Sequence, residues 1–117
     1  MTADAVTLRA LAERVETDDT PPGKAPPYEH DVVMSFLDAR AAAALRGSLD
    51  ACAALHEAVL GERWPGWCVG GYDAETWLAE LDRGSVVEAT GHAPTPARAW
   101  LAAILRARAS EMEPRDD

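Results

Sequence analysis

The stretch from Val86 to Ala109, VVEATGHAPTPARAWLAAILRARA, constrains the fold more than any other part of the chain. It begins within a strand-like run, Ser85 to Thr90, and ends as a helix with a chemically marked start. The Thr95 hydroxyl can accept from the first orphan N–H groups, and Pro96 suits the first turn, where its missing N–H would have no intrahelical partner. Behind that start, Ala97, Trp100, Leu101, Ile104 and Leu105 recur at three- and four-residue steps and make one apolar stripe. Residues 91–94, GHAP, read as the lead-in between the two. A strand feeding such a helix is a packing unit in which the helix covers one face of a sheet.

The rest of the chain supplies the partners. Residues 3–17 form an amphipathic pattern with Leu8, Leu11, Ala12 and Val15 on one face, starting near Thr2 or Asp4. Asp18 to Tyr28, DDTPPGKAPPY, holds four prolines and reads as a linker that cannot continue a helix. A second helical pattern runs from Asp31 to Arg46 and stops at Gly47. Ser48 then caps a third, with Leu49, Cys52, Leu55, Val59 and Leu60 as its apolar face up to Gly61.

Beyond the turn Trp64-Pro65-Gly66-Trp67 the pattern becomes strand-like, with strands expected over Trp67–Tyr72, Glu75–Leu81 and Ser85–Thr90. In the second, Trp77, Ala79 and Leu81 alternate with Thr76, Leu78 and Glu80, and Asp82-Arg83-Gly84 offers a short hairpin connection. Residues 113–117 read as a frayed tail. The expectation is one α+β domain over residues 1–117: a small antiparallel sheet of about three strands packed against helices, in the order α-α-α-β-β-β-α.

Charge narrows the function classes. Eleven basic against 20 acidic residues leave a net charge of −9, which opposes direct binding to nucleic acid or to anionic membrane surfaces. No apolar run reaches the roughly 20 residues that span a bilayer. The amino terminus carries acids where a signal peptide needs bases and a long apolar run, so a cytoplasmic protein with reduced thiols is expected.

Catalytic constellations are weak. His56-Glu57 starts a zinc-protease motif, but the second histidine would fall at position 60, which is Leu60, and the dyad reads as helix surface. Cys68 with His92 could pair as thiolate and base, yet both Cys52 and Cys68 read more simply as buried free cysteines. Gly70-Gly71 lacks the lysine and helix of a phosphate loop and reads as a loose turn or bulge. No catalytic residue, metal, cofactor or small-molecule substrate is therefore expected. Trp100 reads as core, together with whichever of Trp67 and Trp77 faces the last helix. Trp64, beside a Pro-Gly turn, and the carboxylates Asp73, Glu75, Glu80, Asp82 and Glu88 make up the candidate protein-binding surface.

Five segments carry a resemblance: LRALAERVE, LDARAAAAL, GSLDACAALHEAVL, RWPGW and TPARAWLAAILRARA. Together they resemble the phage ABA sandwich domain family, small proteins of tailed phages and prophages. The resemblance implies a sheet packed against helices and a phage or prophage origin, and brings no catalytic residues. The function expected is that of a non-enzymatic accessory protein of the bacterial host cytoplasm. It would bind a basic or nucleic-acid-binding protein, for instance as an anti-CRISPR-like inhibitor of a host defence complex. The alternative is a structural or assembly component of a virion or gene-transfer particle.

Overall fold

The computed structural model describes residues 4–21, 23–84 and 86–112. Four helices come first: α1 (Ala5–Thr17), α2 (Glu29–Phe36), α3 (Arg40–Leu45) and α4 (Leu49–Val59). A single 3-10 turn (Gly61–Arg63) leads to β1 (Gly66–Gly71), β2 (Trp77–Asp82), β3 (Val87–Ala93) and the closing helix α5 (Pro96–Met112). The three strands form one antiparallel sheet in the order β1-β2-β3, and α5 packs under all of them. The fold is α+β, as the sequence implies.

The expected caps hold. Asp4 accepts from the Thr7 N–H at 2.8 Å, Ser48 from Ala51 at 3.1 Å and Thr95 from Arg98 at 3.2 Å. Thr2, the other possible start of α1, lies outside the described residues, as do Pro22, Ser85 and the tail at 113–117.

Residues 31–46 are two helices rather than one. Leu37 takes a left-handed conformation with φ of 53°, ending α2. The Asp38 carboxylate then accepts from the Arg40 N–H at 2.9 Å and grips the Arg40 guanidinium. A short acidic side chain has diverted the backbone from a continuous helical ladder.

The strands are displaced from their expected bounds, and the third the most. β3 extends through residues 91–93, because Ala93 still pairs with Trp77 and His92 with Leu78. Gly70 and Gly71 pair regularly with Leu78 and Trp77 and make neither turn nor bulge; the irregularity falls at Leu81/Asp82 instead. The hairpin between β2 and β3 is as expected, with Gly84 at φ of 130° and its N–H donating to Asp82.

α5 is buried almost all round rather than along one stripe, from Ala97 to Ala109. α1 flanks it on the β3 side, where Leu8, Leu11, Ala12 and Val15 enter the core. α4 packs against α3 and α5 on the β1 side and bears on no strand to a comparable extent. Arg98 is buried within this arrangement, its Nε donating to the Leu45 carbonyl at 3.1 Å and its Nη1 lying 3.5 Å from the Asp18 carboxylate.

The proline-rich run is pinned at both ends. Asp18 accepts from the Thr20 and Tyr28 hydroxyls, each at 2.6 Å, and Tyr28 is buried in the core.

The two sides of the sheet end differently. At β3, the Glu16 carboxylate accepts from the His92 N–H at 2.7 Å, and Arg106 donates to the Thr90 carbonyl at 2.9 Å. Arg106 and Glu16 are themselves paired at 2.5 Å, so one ion pair seals the β3 edge and ties α1 to α5. Burial pushes the Glu16 carboxyl upward, but the bonds from Arg106 and His92 outweigh it and hold it below the usual range.

Candidate functional site

Strand parity decides what the sheet presents to the helices. Trp67 pairs with Leu81, Val69 with Ala79 and Gly71 with Trp77, and Ala79 and Leu81 are buried against the helical layer. Directly paired residues share a face, so Trp67, Val69 and Trp77 all point to the helix side. Both tryptophans therefore face α5, and neither is engulfed by it. Trp67 stacks on the buried Trp100 with ring centroids 4.4 Å apart, yet remains 53% exposed, and Trp77 is 39% exposed.

The reason is a groove. On one side stand Trp67, Val69 and Trp77; on the other, Leu49, Asp50 and Ala53 of α4; Pro96 and Trp100 close its base. It encloses about 410 Å³ and its walls are chiefly apolar. Past Trp67 it continues into a second hollow of about 610 Å³ between Glu57 and Glu62 on one side and Trp64 and Pro65 on the other. The residues lining these two hollows include Asp50, Glu57 and Glu62 and no lysine or arginine.

Behind the groove, His56 fixes the tryptophans. Its Nδ1 accepts from the Trp100 indole N–H at 3.3 Å, which makes Nε2 the donor to the Trp64 carbonyl at 2.9 Å. His56 is thus a buried strut, and the surface dyad expected with Glu57 does not form.

The expected contact surface is rearranged. Trp64 is fully buried beneath the Arg83 guanidinium, 4.6 Å from its ring, so it leaves that surface. Asp73 and Glu75 lie exposed in the β1–β2 turn, where the Glu75 N–H donates to Asp73 and lowers its pKa. Glu80 is half-buried on the sheet face away from the helices, opposite Cys68 and Thr90. Asp82 and Glu88 sit at the far end of the hairpin, and Arg83 pairs with Glu88 at 3.0 Å. The length of β2 separates Asp73 and Glu75 from Asp82 and Glu88, and no single cluster results.

Cys52 is buried, its thiol donating to the Ala97 carbonyl at 3.4 Å, and burial pushes its pKa up to about 12. Cys68 is exposed, contrary to the expectation of burial. It does not meet His92: the two lie on non-neighbouring strands, and the His92 ring packs edge-on against Tyr72 at 5.0 Å. Among the described residues no three metal-ligating side chains come together, and no helix is long and apolar enough to cross a membrane.

The groove was partly legible in the alternation that placed Trp77 with Ala79 and Leu81. Its α4 wall was not, because only the packing of α4 beside α5 brings Leu49 and Asp50 to face β1. Comparison with family models, with curated proteins and with solved structures finds no match to this chain.

Proposed function

We propose that this protein acts by binding another protein, with the aromatic groove between β1 and α4 as the centre of its contact surface. The observation that carries this reading is the pair Trp67 and Trp77, large aromatic side chains left half-exposed on the core-facing side of the sheet. Exposed tryptophans around an apolar hollow with a charged rim have the make-up of a contact hot spot. The acidic rim and the net charge of −9 favour a basic partner. The resemblance to the phage ABA sandwich domain family adds the biological setting: a phage or prophage accessory protein in the bacterial host cytoplasm. Its partner there would be a nucleic-acid-binding host defence complex, held as by an anti-CRISPR. The open edge of β1 also suits the second reading, a component of a virion or gene-transfer particle, which predicts co-purification with particles.

Affinity capture from infected or prophage-bearing cells tests the site. A partner retained by the native protein should be lost from Trp67→Ala/Trp77→Ala and weakened when Glu75, Glu80, Asp82 and Glu88 are neutralised together. Retention by the double tryptophan variant would move the site elsewhere, and indifference to the four neutral substitutions would remove those carboxylates from the contact.

A further inference from the structure

This inference deepens the protein-binding reading and rests on it. The Tyr72 N–H donates to the Thr76 carbonyl across the β1–β2 turn, in line with the register that pairs Gly70 with Leu78. In an antiparallel ladder the peptide groups alternate in direction, so those of Trp67, Val69 and Gly71 turn to the free edge. No described backbone group bonds to them there. Natural sheets defend such an edge with charge, proline, a bulge or a covering element. The strand GWCVGG has no charge or proline, and its pairing with β2 is regular. The opposite edge, by contrast, is sealed by Glu16 and Arg106.

We propose that β1 accepts a fourth strand from its partner: an extended segment in which apolar residues alternate with lysine or arginine. Its backbone pairs with Trp67, Val69 and Gly71, which is strand addition to an open sheet edge. Its apolar side chains enter the groove between β1 and α4. Its basic side chains then fall on the other sheet face, where Cys68 and Gly70 are small and leave a path to Glu80. Two strand spacings, about 10 Å, separate the added strand from β2, within the joint reach of a lysine and a glutamate. A second copy of the chain suits the edge less well. Pairing β1 with β1 would crowd two α4 helices beside the two-fold axis and bring together two chains of net charge −9.

The test uses the full chain and an octapeptide, Lys-Val-Lys-Leu-Lys-Val-Lys-Leu, titrated by calorimetry with NMR of the backbone amides. Binding should slow exchange of the Trp67, Val69 and Gly71 amides. N-methylating alternate peptide amides along one edge should weaken binding at least about tenfold, and along the other edge leave it unchanged, because only one edge faces β1. Replacing lysine by glutamate in the peptide should abolish binding, and Glu80→Gln should weaken it with the far-UV spectrum retained. Equal binding of both methylated peptides overturns strand addition. Failure of the octapeptide, with capture of the cellular partner still dependent on Trp67 and Trp77, also overturns it but leaves the groove reading intact. If capture is independent of those tryptophans too, both fall. Protection of the three amides in a concentration-dependent dimer of the free protein would assign the edge to a second copy and overturn the proposal.

Discussion

At Gly91 the sheet and α5 approach so closely that a Cβ atom would overlap the Ala99 carbonyl oxygen and come within 2.8 Å of the Ala103 nitrogen. Both obstacles are backbone, so a side chain cannot be accommodated by a rotamer change. Gly91→Ala should cost about 1–3 kcal/mol or more through overpacking, read as a lower urea midpoint with an unchanged slope. An unaltered midpoint would mean that α5 can shift outward freely. The sequence announces the glycine but not this role: Gly91 stood in the GHAP lead-in, and only the pairing of His92 and Ala93 with β2 draws it into the sheet. The same distinction separates the four tryptophans. Trp100 sits on the stripe that marks it as core, whereas Trp64 lies beside a turn and is nonetheless buried in the core, with the Arg83 guanidinium over its ring.

The elements show which local signals survive packing. Side-chain caps at Ser48 and Thr95 act within one turn of chain, and both helices begin where those residues place them. The break at Leu37 is of another kind, since within an alanine-rich helical pattern it is marked in the sequence by nothing more than Asp38. Leucine is strained at a φ of 53°, and its side chain is 69% exposed, so little burial offsets the cost. Leu37→Gly should therefore raise stability by about 1 kcal/mol, seen as an upward shift of the thermal midpoint. A lower midpoint would show that the Leu37 side chain holds α2 to its neighbours. α5 shows a third case, in which alanine outside the predicted stripe is what allows α1, α3 and α4 to close around the helix.

Across the whole molecule, ion pairs join elements distant in sequence. Arg106–Glu16 links α5 to α1 and Arg63–Glu111 links the 3-10 turn to the end of α5. Glu16, Glu111 and Asp18 are each pushed up by burial, but hydrogen bonds and neighbouring cations outweigh this and leave all three below their usual values. A depressed carboxyl binds fewer protons in the folded state than in the unfolded one, so it adds stability above its unfolded pKa. That contribution should disappear as pH falls from the ordinary carboxylate range near 4.5 through the lower folded values. Urea unfolding from pH 7 to 3 should show this acid limb, with a shallower slope in Glu16→Gln; equal slopes would remove the Arg106 pair as its source.

α5 follows every other described element in the chain and is the one around which the others pack. During synthesis, then, α1 to β3 leave the ribosome with the apolar faces that α5 covers still open. The domain can complete its core only once residues 96–112 have emerged. Until that moment the uncharged β1 edge and the bare sheet are both open to strangers, so folding yield should depend on how promptly the final helix arrives.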